Sequence, residues 1–142
     1  MAVEYAAFQG CFALIMVEMP GCVAFGVRLF SECCALEQVG IITDGACELA
    51  KGAVIGPYAF EGCAKLEQLS LPCVRARSDA IPLPSPPSGI PQGFFHSSGI
   101  QRVSPGGDAA YIGHRAYENC KQLTSVDISD TVVDTLHMHT FS

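Results

Sequence analysis

The sequence predicts an α/β repeat fold in which short strands alternate with short helical turns. Three observations carry that expectation. One pattern, apolar-G-x-x-A-F-x-x-C-x-x-L-x-x-V-x-I, recurs along the chain. Its aromatic residue recurs six times with an apolar residue always five positions earlier. Each copy closes on period-2 alternation, the mark of a half-buried strand.

The copies are legible side by side. Ile55 to Pro72 reads IGPYAFEGCAKLEQLSLP, Ile112 to Ser129 reads IGHRAYENCKQLTSVDIS, and Phe25 to Ile41 reads FGVRLFSECCALEQVGI. Val3 to Pro20 and Ile90 to Pro105 are looser copies, the latter with Ser98 where cysteine stands elsewhere, and a partial copy runs over 136–142. The aromatics fall at Phe8, Phe30, Phe60, Phe95, Tyr117 and Phe141; the apolar residues five earlier are Val3, Phe25, Ile55, Ile90, Ile112 and Leu136. The domain is therefore read as one unit over 1–142, with repeats at about 3–20, 25–41, 55–72, 90–105 and 112–129 and insertions at about 43–50 and 75–89.

Each copy has one physical reading. Leu66, Leu69 and Leu71 point inward in one strand, and Leu123, Val126 and Ile128 in another, and Pro72 ends the first. The A-F-x-x-C stretch is too short for a full helix and suits one turn of α- or 3₁₀-helix. No unit can bury its apolar face alone, so the units must stack.

Composition narrows the function. With 49% hydrophobic and 15% charged residues the chain has ample core material. Its net charge of -6 argues against nucleic acid, which needs a basic face. No apolar run is long enough for a membrane span. Phe12 to Val17 has no basic residue before it, so no signal peptide is visible, and the chain as it stands reads as cytoplasmic.

The pattern resembles the BspA-type leucine-rich repeat, whose units read roughly I-G-x-x-A-F-x-x-C-x-x-L-x-x-V-x-L-P. The resemblance covers most of the chain. It implies a right-handed solenoid with a parallel sheet along one side, and roles in recognition, adhesion or scaffolding without catalytic residues. The two insertions depart from the family's even spacing.

The insertions and side-chain clusters each have a functional and a plain reading. Asp44-Gly45 is a turn signal in the first insertion. The second contains IPLPSPPSGIP, whose Pro84 to Pro87 spells P-x-x-P; it reads as an exposed loop before it reads as a ligand for an SH3- or WW-like partner. Cys11, Cys33, Cys63 and Cys120 share one repeat position and read as buried thiols rather than a metal or disulfide ladder. Cys22, Cys34, Cys47 and Cys73 follow no metal-ligand spacing. His137 and His139 lack a third ligand, and Asp127, Asp130 and Asp134 fit a solvated turn better than a calcium loop. No nucleophile elbow, phosphate loop or zinc-protease motif is present, so neither catalytic residues nor a cofactor or metal are expected.

A non-catalytic protein-binding or scaffolding domain is the function expected, with an adhesin fragment or a domain appended to an enzyme as alternatives. The outward strand positions are the natural contact set: Met16, Glu18, Gln38, Gln68, Ser70, Arg102, Ser104, Ser125 and Asp127. The first unit carries Phe12, Leu14, Ile15, Met16 and Val17 where a polar cap belongs, which predicts self-association or partner binding through that end.

Overall fold

The computed structural model describes residues 2–3, 5–43, 46–72, 74–76, 89–104, 111–126 and 135–136. In chain order its strands are β1 (Ala2–Val3), β2 (Met16–Glu18), β3 (Ala24–Phe25), β4 (Gln38–Thr43), β5 (Ala46–Glu48), β6 (Val54–Ile55), β7 (Gln68–Ser70), β8 (Arg75–Ala76), β9 (Gly89–Ile90), β10 (Arg102–Ser104), β11 (Tyr111–Ile112), β12 (Ser125–Val126) and β13 (Thr135–Leu136). They form a six-stranded sheet in the order β12-β10-β7-β5-β4-β2, and two sheets of two-residue strands in the orders β1-β3-β6-β8 and β13-β11-β9.

Equivalent residues of successive copies pair, so sequence repetition becomes spatial stacking. Val3 pairs with Phe25 and Phe25 with Ile55; Ile90 pairs with Ile112 and Ile112 with Leu136. In the larger sheet Val17 pairs with Val39, and Leu69 with Val103, which pairs with Val126. The expected alternation holds where side chains are described: Val39, Leu69 and Val103 are buried, while Met16, Glu18, Gln68 and Arg102 are exposed.

The linking turns differ from expectation. No described residue is helical. Instead each A-F-x-x-C stretch holds two left-handed residues four positions apart: Ala6 and Gly10, Arg28 and Glu32, Tyr58 and Gly62, Gly93 and Ser97, Arg115 and Asn119. A left-handed residue breaks a right-handed helical ladder, so the short helical turns of the expectation are replaced by extended chains of turns. These chains close single turns internally, as from the amides of Gln9, Ser31, Glu61, His96 and Glu118 to the carbonyls three residues earlier, and bond to one another through the amides between. Amides of residues 6, 8 and 10 donate to carbonyls of 27, 29 and 31, and those of 28, 30 and 32 to 57, 59 and 61. Amides of 58, 60 and 62 donate to 92, 94 and 96, and those of 93, 95 and 97 to 114, 116 and 118.

That stacking builds the core. Phe8, Phe30, Phe60, Phe95 and Tyr117 form a continuous ladder of near-parallel rings, with centroids 5.4, 5.4, 6.1 and 5.8 Å apart. Phe94 packs edge-on against both Phe60 and Phe95. Leu29, Leu36, Leu49, Ile55, Leu66 and Leu71 close the interior between ladder and sheets without exposed surface. Close stacking also explains the glycine after the first apolar residue. A β-carbon on Gly56 would sit 2.7 Å from the Val27 nitrogen, inside van der Waals contact.

Both insertions add rungs to the sheets. The first, expected as a loop, supplies β5, which pairs antiparallel with the second half of β4 (Ile41 with Glu48, Thr43 with Ala46) and parallel with β7. Among the described residues the pairings between repeat strands are parallel, and the antiparallel one is made by the insertion strand β5. The change begins at Gly40, whose φ of 91° favours glycine and whose absent side chain leaves room for the Glu48 carbonyl. The second insertion contributes β8, which pairs with β6 through Val54–Arg75 and Ile55–Ala76.

Candidate functional site

The strand register sets the expected contact residues in two rows. Met16 pairs with Gln38, and Gln68 with Arg102 and then Ser125; Glu18 pairs with Gly40, and Ser70 with Ser104. Met16, Glu18, Gln68, Arg102 and Ser125 are exposed, and Gln38 and Ser70 are half-buried. Asp127 lies outside the described residues, as do the proline stretch over 77–88, His137 and His139.

The rows are not continuous. β5 stands between Gln38 and Gln68, dividing the set into Met16, Glu18 and Gln38 on one side and Gln68, Ser70, Arg102, Ser104 and Ser125 on the other. The division opens a cavity of about 570 Å³ lined by Glu37, Gln38, Cys47, Lys65, Glu67 and Gln68. A smaller one of about 200 Å³ lies beside it among Ala46, Cys47, Gln68, Leu69, Ser70 and Arg102.

The cavity sits at a break in a backbone ladder. The amide of Glu37 donates to the Ile15 carbonyl at 2.8 Å, that of Gln101 to Glu67 at 2.6 Å, and that of Thr124 to Gln101 at 3.0 Å. Among the described residues, no such bond joins the Glu37 carbonyl to Glu67 or Gln68. The end of β5 replaces the end of β4 in the next step, where the Leu49 amide donates to the Ser70 carbonyl at 3.0 Å. Sequence reasoning passed over Glu37, Lys65 and Glu67, and weighed Cys47 only as a metal ligand. A signal did exist: IITDGACEL has two short apolar runs around Asp-Gly, the pattern of a hairpin.

The thiols are built into the backbone. Cys33, Cys63 and Cys120 donate to the carbonyls of Phe8, Phe30 and Phe95, the aromatic of an earlier coil, at 3.0, 3.2 and 2.9 Å. Cys47 donates to Gln68 at 3.3 Å. Burial pushes all four up from the ordinary thiol value, Cys63 the furthest. Each therefore stays protonated and is a poor nucleophile or metal ligand at neutral pH. Among the described residues no three His, Cys, Asp or Glu side chains converge as a metal set.

A polar network lines the turn side. Glu61 binds Arg28 at 3.0 Å and His96 at 3.5 Å, and Glu118 lies 3.9 Å from the other imidazole nitrogen and 3.3 Å from Arg115. Arg28 also stacks over Tyr58 at 4.6 Å. Arg28, Glu61, His96, Arg115 and Glu118 thus join coils to one another.

These units define a repeat protein of stacked strand-and-turn coils. The model of the BspA-type leucine-rich repeat region matches residues 1–80 and 88–142 in six copies, and the chain belongs to that family. Repeats of this family commonly mediate protein interaction and are generally non-catalytic. No curated protein and no solved structure matches the chain. Among the described residues no helix is long and apolar enough to cross a membrane.

Proposed function

We propose that this chain is a non-catalytic protein-binding or scaffolding domain, a single right-handed solenoid over 1–142 with the repeat boundaries read above. Its partner meets the six-stranded sheet. The observation that supports this reading is the strand register, which lines up Met16 with Gln38 on one side of β5, and Gln68 with Arg102 and Ser125 on the other, as two outward rows. The rows are polar apart from Met16, which suits a reversible contact better than a permanent one.

A photo-crosslinking residue at position 68 or 102 tests the reading against the same residue at position 115 on the turn side. Adducts to partner proteins from 68 and 102, and few from 115, are expected. Equal yields from both sides would refute it.

A second contact is favoured by the first coil. Tyr5, Phe12, Ile15, Met16 and Val23 are each more than half exposed there. Apolar side chains gathered at one end of a stack favour association through that end. Light scattering over a concentration series tests this, with a constant monomer mass as the refuting outcome.

A further inference from the structure

The break between Glu37 and Glu67 is the one step among the described strand entries where a rung is missing, and it coincides with a polar cavity beside the sheet. We infer that this cleft binds an extended peptide segment that presents a lysine or arginine side chain between Glu37 and Glu67. The inference rests on the protein-binding reading above and names the chemistry of its ligand.

Three features of the cleft support that ligand. At the other steps one carbonyl accepts two amides: Ile15 from Glu37 and Gln38, Glu67 from Gln101 and Arg102, Gln101 from Thr124 and Ser125. At the break the carbonyl of Glu37 and the amides of Glu67 and Gln68 make no bond to each other across the cleft. An extended backbone supplies both donors and acceptors, which match a gap in the ladder beside the end of β5. Carboxylates outnumber ammonium groups on the lining, Glu37 and Glu67 against Lys65, so a cationic side chain is preferred over an anionic one. Gln68 flanks the cleft with an exposed side-chain amide that can donate and accept, which suits a peptide backbone. The volume of about 570 Å³ accommodates a short segment rather than a folded surface.

The floor sets a limit on the chemistry. The Cys47 thiol is buried and engaged with the Gln68 carbonyl at 3.3 Å, so the cleft binds and does not react.

The test uses the full chain, labelled with nitrogen-15, and two probes: the peptide Ac-Thr-Lys-Val-Lys-Thr-NH₂ and its glutamate counterpart Ac-Thr-Glu-Val-Glu-Thr-NH₂. The lysine peptide is expected to shift the amide signals of Glu37, Glu67 and Gln68 and to bind about three- to tenfold more tightly than the glutamate peptide at low salt. Glu37→Gln and Glu67→Gln, each made singly on an exposed residue, are expected to reduce that preference, and the exposed Lys121→Ala variant to leave it unchanged.

Equal affinity for the two peptides, a preference that survives both glutamine variants, or no binding of either peptide would overturn the inference. Shifts confined to Met16 and Arg102 would overturn it while leaving the sheet-face reading in place. Cleft binding without cross-links from positions 68 and 102 would do the reverse.

Discussion

The Cys63 thiol donates a 3.2 Å hydrogen bond to the carbonyl of Phe30, whose ring stacks 5.4 Å from Phe60 in the coil that Cys63 belongs to. The bond ties the repeat's two signature residues, aromatic and cysteine, across a coil boundary. Cys63→Ala therefore removes one of two donors to a buried carbonyl, the other being the Cys33 amide at 3.1 Å, which costs about 0.5–1.5 kcal/mol. Urea unfolding followed by circular dichroism measures it. A loss within error of zero would show that water or backbone replaces the thiol.

The same burial controls reactivity. Cys34 is exposed, whereas Cys33 and Cys63 are buried. Iodoacetamide at neutral pH is expected to label Cys34 well before Cys63, which should react only on unfolding. Peptide mapping by mass spectrometry reads the order directly.

Alkaline pH should weaken the fold. Burial pushes Cys33, Cys47, Cys63 and Cys120 up from 9.0, and Tyr117 up as well. Above about pH 9 the unfolded chain releases thiol protons that the folded chain keeps. The folded state then binds more protons, so stability falls as pH rises. Urea midpoints should be level from pH 7 to 8.5 and drop by pH 10. Replacing Cys63 with Val should make the drop shallower.

The aromatic ladder carries much of the stability at its centre. Phe60 touches rings on both sides and Phe94 edge-on, and is fully buried. Phe60→Ala should cost about 3–5 kcal/mol. Phe8 is only partly buried and stacks on Phe30 alone, so Phe8→Ala should cost less than half as much. Equal losses would mean that the ladder does not unfold as one body.

Two glycines offer a contrast of space. A β-carbon on Gly56 meets the Val27 nitrogen at 2.7 Å, while one on Gly21 meets nothing within 4 Å. Gly56→Ala should lower the thermal midpoint by several degrees, at least 1 kcal/mol being lost to displaced backbone. Gly21→Ala should leave it within a degree or raise it slightly.

The repeat frame was legible because stacking demands the same side chain at the same place. Phe30 faces Phe60, Phe60 faces Phe95 and Phe95 faces Tyr117 only if their coils are in register, and the sequence repeats them accordingly. The turn conformation was not legible. Its left-handed positions are filled by Arg28, Tyr58 and Arg115 as readily as by Gly93, so side-chain type gives no sign of φ. Apolar residues three apart then imitate a helical turn. Of the candidate face, the outward residues follow from alternation within each strand. Its division by β5 does not, because β5 matches no copy of the repeat and takes its place through pairing with Ser70.

The turn bonds all run in one direction, with amides of each coil reaching forward to carbonyls of the next. The first coil accordingly turns the carbonyls of Tyr5, Ala7 and Gln9 away from the second, and a chain that docks on them has to bring amides. Its own first coil cannot, since those amides are spent inward on residues 27, 29 and 31. A symmetric pair, first coil to first coil, is thus excluded for this ladder. Any assembly that uses it is head-to-tail, closing into a ring or extending as a filament according to the rotation between successive copies.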